Sequence, residues 1–238
     1  MSGGRYDGEA RFRACLALMR IIQAILKATV FEGSLALILF GSAGRINLPW
    51  VWTLLAVHGT ILLIALMFMD PTLARERVKP GPGAWDQSLR RILTVLLLVH
   101  LVIAGLDVGR FHWSGLIAPP VRTAALVVFA CGMGFSIWAV IANRFFSSAI
   151  RLQTDRGHHV VDTGPYRWVR HPGYAGSVVA SIAGGVVIGS WWSLLPLALM
   201  GALVVRRLVL EDAFLHRELE GYATYAGRVR YKLVPGLW

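Results

Sequence analysis

A chain of 238 residues that is 56% hydrophobic and only 16% charged departs from water-soluble domains, which run about 45–50% apolar and about 25% charged. It reads as an integral membrane protein whose apolar segments leave no room for a separate soluble domain. The formal net charge of +11 does not indicate a nucleic-acid binder, because the basic residues fall between apolar spans, where anionic lipid head groups account for them.

The N-terminal segment MSGGRYDGEARFR lacks the early apolar core and cleavage site of a signal peptide. Arg11, Arg13 and Arg20 form an amphipathic lead-in at the membrane interface. A crossing helix needs about 20 apolar residues. The first candidate, Ile21–Phe40, carries Lys27 and Glu32, whereas Val51–Met69 and Ala124–Ala142 carry no formal charge. Ile92–Leu106 is shorter and holds His100. Between the second and third spans, Asp70-Pro71 has the form of a helix N-cap followed by proline at the first helical position. The sequence KPGPG (Lys79–Gly83) ends that helix, and the loop is read as structural.

The last apolar stretch, Pro172–Val205, is 34 residues long without a formal charge. At 1.5 Å per residue that is roughly 50 Å, too long for one crossing, so a break at Gly189-Ser190 predicts two short helices in a hairpin. Small residues at Ser177, Ser181, Gly185 and Gly189 are spaced for close helix packing, and Gly132 with Gly134 reads equally well as close packing or as room for a cofactor. The expected fold is therefore all-α and polytopic, with about six transmembrane helices and a C-terminal helical hairpin. Cys15 and Cys131 lie in apolar surroundings and suggest no disulfide or metal framework.

Loop arginines and lysines set orientation. With the N-terminus in the cytoplasm, nineteen fall on the cytoplasmic side and only Arg45, Arg110 and Arg122 on the other. Both termini are then expected in the cytoplasm. Only Lys27, Lys79 and Lys232 are lysines among the basic residues, a bias of GC-rich bacterial genomes, and the expected location is a bacterial inner membrane.

Three polar clusters converge on that cytoplasmic face. The first is QTDRGHHVVD, Gln153 to Asp162. The second is GPYRWVRHPGYAG, Gly164 to Gly176, with Tyr166, His171 and Tyr174. The third is RRLVLED, where Arg207 and Glu211 lie four apart on one side of a helix. An isolated Arg207–Glu211 pair would read equally well as a helix-end ion pair. A metal site from His158, His159 and His171 with Asp155 or Asp162 matches no standard ligand spacing, and none is expected. Ionisable groups at membrane depth mark functional sites, and these three clusters suit a zwitterionic, partly apolar ligand with carboxylate, cationic and aromatic partners.

GPYRWVRHPGYAG, the preceding HHVVDT and the C-terminal LEDAFLHRELEGYATYAGRVRYKLVP together resemble the isoprenylcysteine carboxyl methyltransferase family and its prokaryotic relatives, and more distantly the phospholipid N-methyltransferases. The likeness runs from about Arg122 to Pro235, and the Asp-Pro loop and Trp85-Asp86 are similar to features of bacterial members. It implies a methyltransferase with a cytoplasmic S-adenosylmethionine site and a lipophilic small-molecule or lipidated substrate arriving from the bilayer. By motif, the cofactor contacts fall on Gln153, His158, His159, Val160, Val161, Tyr166, His171, Pro172, Gly173, Tyr174 and Glu211. The substrate-side arginine falls on Arg207. The family's usual Glu-Glu pair is Glu211-Asp212 here, so Glu211 takes the weight and Asp212 is left without a role. His171 and Tyr174 are the nearest candidates to accept a proton from an amine substrate. The resemblance divides the chain into membrane helices with the Asp-Pro loop over 1–120 and a catalytic core over 121–238. The rival readings are an NADPH-dependent membrane sterol reductase, which would share a similar core, and a non-catalytic scaffold.

Overall fold

The computed structural model describes residues 3–238, with side chains from Cys15 onward. The arginine lead-in at Arg11 and Arg13 lies outside the described side chains. Eight α-helices follow in order: α1 Gly3–Ala43, α2 Pro49–Phe68, α3 Pro71–Val78, α4 Gln87–Leu106, α5 Pro119–Ala142, α6 Pro172–Ile188, α7 Leu194–Glu218 and α8 Tyr222–Arg228. The described residues contain no strand. Helix α4 continues into a π-turn at Asp107–Phe111. Four helical spans, Cys15–Ala43, Pro49–Phe68, Gln87–Phe111 and Pro119–Ala142, are long and apolar enough to cross a membrane, and α6 is a shorter apolar helix. Large side chains such as Leu26, Val30, Leu37, Phe68, Val127 and Leu199 are exposed on the outside of the bundle. That is tenable only in lipid, and the protein is an integral membrane protein.

Local signals set the helix ends. Asp70 caps α3 by accepting from the Thr72 and Leu73 N–H groups at 2.7 and 3.2 Å, with Pro71 at the first position. Gly189 ends α6 with φ +101, a left-handed conformation that glycine adopts without strain. This is the expected hairpin break, although α7 runs on past Val205 to Glu218.

Helices α5 and α6 form the most extensive pairing in the bundle. A Cβ on Gly176 would lie 2.4 Å from the Gly132 carbonyl oxygen, and one on Gly132 would lie 2.9 Å from that of Gly176. Backbone thus meets backbone, which only small residues permit. The contact uses Gly176, Ala180 and Gly184 on the α6 side rather than the row beginning at Ser177. The Ser177 and Ser181 hydroxyls instead donate to carbonyls of their own helix, while Gly185 packs on Leu194 and Ser193 at the start of α7.

Glu32 of α1 receives a definite partner. Its Oε1 lies 2.6 Å from His58 Nδ1 of α2, a polar link between two lipid-embedded helices, whereas Lys27 is exposed.

Candidate functional site

At one end of the bundle, the C-terminal halves of α5 and α7, the start of α6 and the loop 143–170 enclose a cavity of about 410 Å³. That size lies within the range of small-molecule and cofactor sites. The loop enters it because helix α3 holds it in place. Arg151 donates to Glu76 through Nε at 2.7 Å and through Nη2 at 2.8 Å, a planar two-point ion pair. Ser147 Oγ also donates to Glu76. These hydrogen bonds, the Arg151 one foremost, lower the Glu76 pKa despite burial. The helix before the KPGPG loop reaches the site through Arg77, which lines the cavity.

Every residue that the resemblance assigned to the cofactor or substrate, except Pro172, lines the cavity. Pro172 is buried in the first turn of α6. Gly173 must lack a side chain, because a Cβ there would lie 2.4 Å from the Phe146 ring. Gln153 is almost fully buried. Its amide donates to the Phe145 carbonyl at 2.6 Å and accepts from Arg156, so it shapes the loop. His158 and His159 both contact Phe145, with ring centroids 4.6 and 4.9 Å away, and form an aromatic wall. Burial, then His159, Arg151 and Arg156, lowers the His158 pKa to about 4, so its ring is neutral at pH 7. Its Nδ1 accepts from the Gln153 N–H at 3.3 Å. Val160 and Val161 pack beside Tyr166, Tyr222 and Tyr225. Burial raises the Tyr166 pKa, so that phenol stays protonated.

The acidic and basic groups pair differently from the simple helix-end reading. Arg207 does not pair with Glu211. Its Nη2 lies 2.9 Å from Asp86 Oδ2 and donates to the Ser148 carbonyl at 2.8 Å. Its Nε is buried without a partner. Glu211 instead accepts from the Tyr174 hydroxyl at 2.6 Å. Asp212 points away from the cavity and holds the fold together. Arg170 Nε and Nη2 donate to it at 2.9 and 3.1 Å, Tyr222 donates at 2.9 Å, and His171 Nε2 lies 3.2 Å away. Arg170 also donates to the carbonyls of Val229 and Arg230, while the backbone N–H groups of Arg170 and His171 reach Tyr231 and Lys232. The polar turn before α6 thus fastens the C-terminal segment beside the cavity. This is one reason for arginines at the membrane edge.

Residues 123–217 match the isoprenylcysteine carboxyl methyltransferase (ICMT) family. The chain carries an ICMT-family domain. No curated protein matches the chain. The ICMT segment begins in α5 and ends in α7, so it contains Glu211, Arg207, the histidine wall and the turn before α6. An ICMT-family domain on membrane helices supports a membrane methyltransferase. The residues that sequence reasoning missed, Arg77, Asp86 and Arg90, all precede the ICMT segment. Arg77 and Arg90 signalled only their place on the same cytoplasmic face, whereas Asp86 lay in the Trp85-Asp86 pair already likened to bacterial members but without a role.

Proposed function

We propose that the protein is an S-adenosylmethionine-dependent methyltransferase acting on a lipophilic or amphiphilic acceptor. The observation that carries this reading is the donor set of one cavity: a carboxylate at Glu211, guanidiniums, and an aromatic wall at Phe145, His158 and His159. These suit a ligand bearing a cation, a carboxylate and a base. Glu211, His158 to Val161, Tyr166, His171 and Tyr174 would hold the cofactor, with Gln153 and Gly173 shaping the loop around it. Bound there, S-adenosylmethionine supplies a methyl group on a sulfonium for in-line displacement.

The chain's own work is positioning and exclusion of water. The Tyr174 hydroxyl fixes one Glu211 oxygen and leaves the other for a cation. Asp86 and the Ser148 carbonyl fix Arg207, which presents its remaining N–H groups to an acceptor. A carboxylate acceptor needs no base. An amine would pass its proton to His171 Nδ1, the ring nitrogen that Asp212 leaves free. Residues 121–238 act as the catalytic core and 1–120 as its membrane support, in a bacterial inner membrane with the cavity and both termini cytoplasmic.

Calorimetric titration of the purified protein with S-adenosylmethionine and NADPH side by side tests the reading. Binding of the first alone is expected. Binding of NADPH alone favours the reductase, and binding of neither leaves a scaffold. Labelled methyl groups transferred to a lipid extract should be released by mild alkali if the product is an ester and retained if it is an N-methyl. For orientation, Glu220→Cys and Leu116→Cys should react with impermeant reagents from opposite sides of the membrane. Both positions are exposed, and labelling from one side would overturn the topology.

A further inference from the structure

The arginines around the cavity are not equivalent. Arg151, Arg170 and Arg207 each face a buried carboxylate: Glu76, Asp212 and Asp86. Arg77 and Arg90 also line the cavity, but neither is ion-paired among the described residues. The Arg77 Nη1 reaches only the Phe146 carbonyl, at 3.3 Å, with its guanidinium 5.3 Å from the Phe146 ring centroid. Burial, and then the charge of Arg207, lowers the Arg77 pKa. Arg90 Nη1 donates to Ser148 Oγ at 2.9 Å, that hydroxyl donates to the Arg77 carbonyl at 2.7 Å, and Arg207 donates to the carbonyl of Ser148 itself. Three guanidinium-bearing residues from three helices therefore meet at one serine, with a single carboxylate, Asp86, among them.

An uncompensated pair of cations lining a cavity is costly unless an anion joins them. Glu211 does not fill that role, since it bonds Tyr174. Resting on the methyltransferase reading, we infer that Arg77 and Arg90 form the seat for an anionic head group on the methyl acceptor, with Ser148 positioning both. Arg207, paired with Asp86 and donating to the Ser148 carbonyl, lies beside this seat. Both seat residues precede the matched segment 123–217. Acceptor choice is thus built by α3 and α4, on a domain that supplies the transfer chemistry. The ligand class is an amphiphile with a phosphate or carboxylate head.

The test uses the full-length protein in an uncharged maltoside detergent. Dodecyl phosphate, inorganic phosphate and dodecyltrimethylammonium are titrated by calorimetry. Saturable binding of dodecyl phosphate is expected, with inorganic phosphate weaker and the cation not binding. Arg77→Gln and Arg90→Gln should each weaken dodecyl phosphate about ten-fold or more. Arg77→Lys should retain most of the affinity, and S-adenosylmethionine affinity should be unchanged in all three, which also reports that they fold. Equal dodecyl phosphate affinity in the wild type and both glutamine variants overturns the seat. Inorganic phosphate binding as tightly as dodecyl phosphate overturns its assignment to a membrane amphiphile. The two readings fail separately: wild-type protein that binds dodecyl phosphate through these arginines but not S-adenosylmethionine keeps the anion seat and loses the cofactor.

Discussion

The two ends of the helical bundle are both rich in arginine and tryptophan, yet one is nearly closed, with a pocket of only about 140 Å³, and the other is hollow, with its cavity of about 410 Å³. At the closed end, each arginine donates to backbone carbonyls at or near a helix C-terminus. Arg45 reaches the Val108 carbonyl, Arg110 that of Ser42, and Arg122 those of Val187 and Ile188. Such contacts satisfy orphan carbonyls and complement the helix dipole. Asp107 is fully buried there, and its oxygens accept from the Ser114 N–H at 2.9 Å, the Ser114 hydroxyl and, at 2.5 Å, the Ser190 hydroxyl. At the hollow end, among the described residues, Arg207 keeps a buried Nε without a partner and Arg77 and Arg90 lack counter-charges. Polar groups that complete one another build a fold. Polar groups left incomplete around a cavity are built for a ligand.

The largest expected effect comes from breaking a network at the hollow end that is complete. Asp212→Ala leaves Arg170 buried and unpaired, and removing one partner of a buried ion pair costs about 3–5 kcal/mol. The C-terminal segment, tied to Arg170 through the carbonyls of Val229 and Arg230, should loosen with it. Faster proteolysis after α7 and a lower melting temperature are the readouts. An unchanged melting temperature would show that the segment is held by other contacts.

Asp107→Ala comes next. It strands the buried Ser190 hydroxyl at a cost of about 1–3 kcal/mol, while the partly exposed Ser114 can turn to water. The comparison predicts a loss of stability with S-adenosylmethionine affinity unchanged, because this network lies at the far end from the cavity. A matching loss of affinity would mean that the two ends are coupled.

Glu211→Gln should do the reverse. It removes one charge from the cavity while the side-chain oxygen can still accept from Tyr174. Loss of a charge-assisted hydrogen bond is worth about 1.5–3 kcal/mol, so cofactor affinity should fall roughly ten- to a hundred-fold at constant melting temperature. Unchanged affinity would remove Glu211 from the cofactor site.

The contrast also shows why some features were legible in the sequence and others were not. The spans, the Asp70 cap and the Gly189 break announce themselves through local composition and backbone preference. The candidate residues on the ICMT segment are close in sequence and travel as motifs. Arg207 and Glu211 at i,i+4 suggested a mutual pair, because helical spacing shows what can meet along one helix and nothing of competitors on others. Asp86 and Tyr174 are those competitors, and tertiary packing placed them. Arg77 and Arg90 could be counted as cytoplasmic charges, but only long-range links such as Glu76–Arg151, 75 residues apart in sequence, and Arg90–Ser148 bring their helices against the loop. Asp212, one methylene shorter than the family's usual glutamate, lacked a role until its partners Arg170, His171 and Tyr222 were seen around it.

The smallest effect sharpens the comparison through pH. His158 is the cavity residue whose titration is most displaced toward acid, from 6.5 to about 4, with burial as the main cause. Its Nδ1 accepts from the Gln153 N–H, so a proton there would replace an attraction with a clash and add charge beside Arg151 and Arg156. The folded state therefore binds this proton less readily than the unfolded chain does. The sign follows: the contribution of His158 is whole above pH 6.5 and is lost as pH falls from 6.5 towards 4. At pH 5.5 the loss is about 1 kcal/mol after allowance for partial exposure, less than either carboxylate deletion. Melting temperature should decline over that window in the wild type and decline less in His158→Gln, whose amide oxygen can accept the same N–H without titrating. Equal pH slopes in the wild type and His158→Gln would show that the aromatic wall opens to water before the fold does.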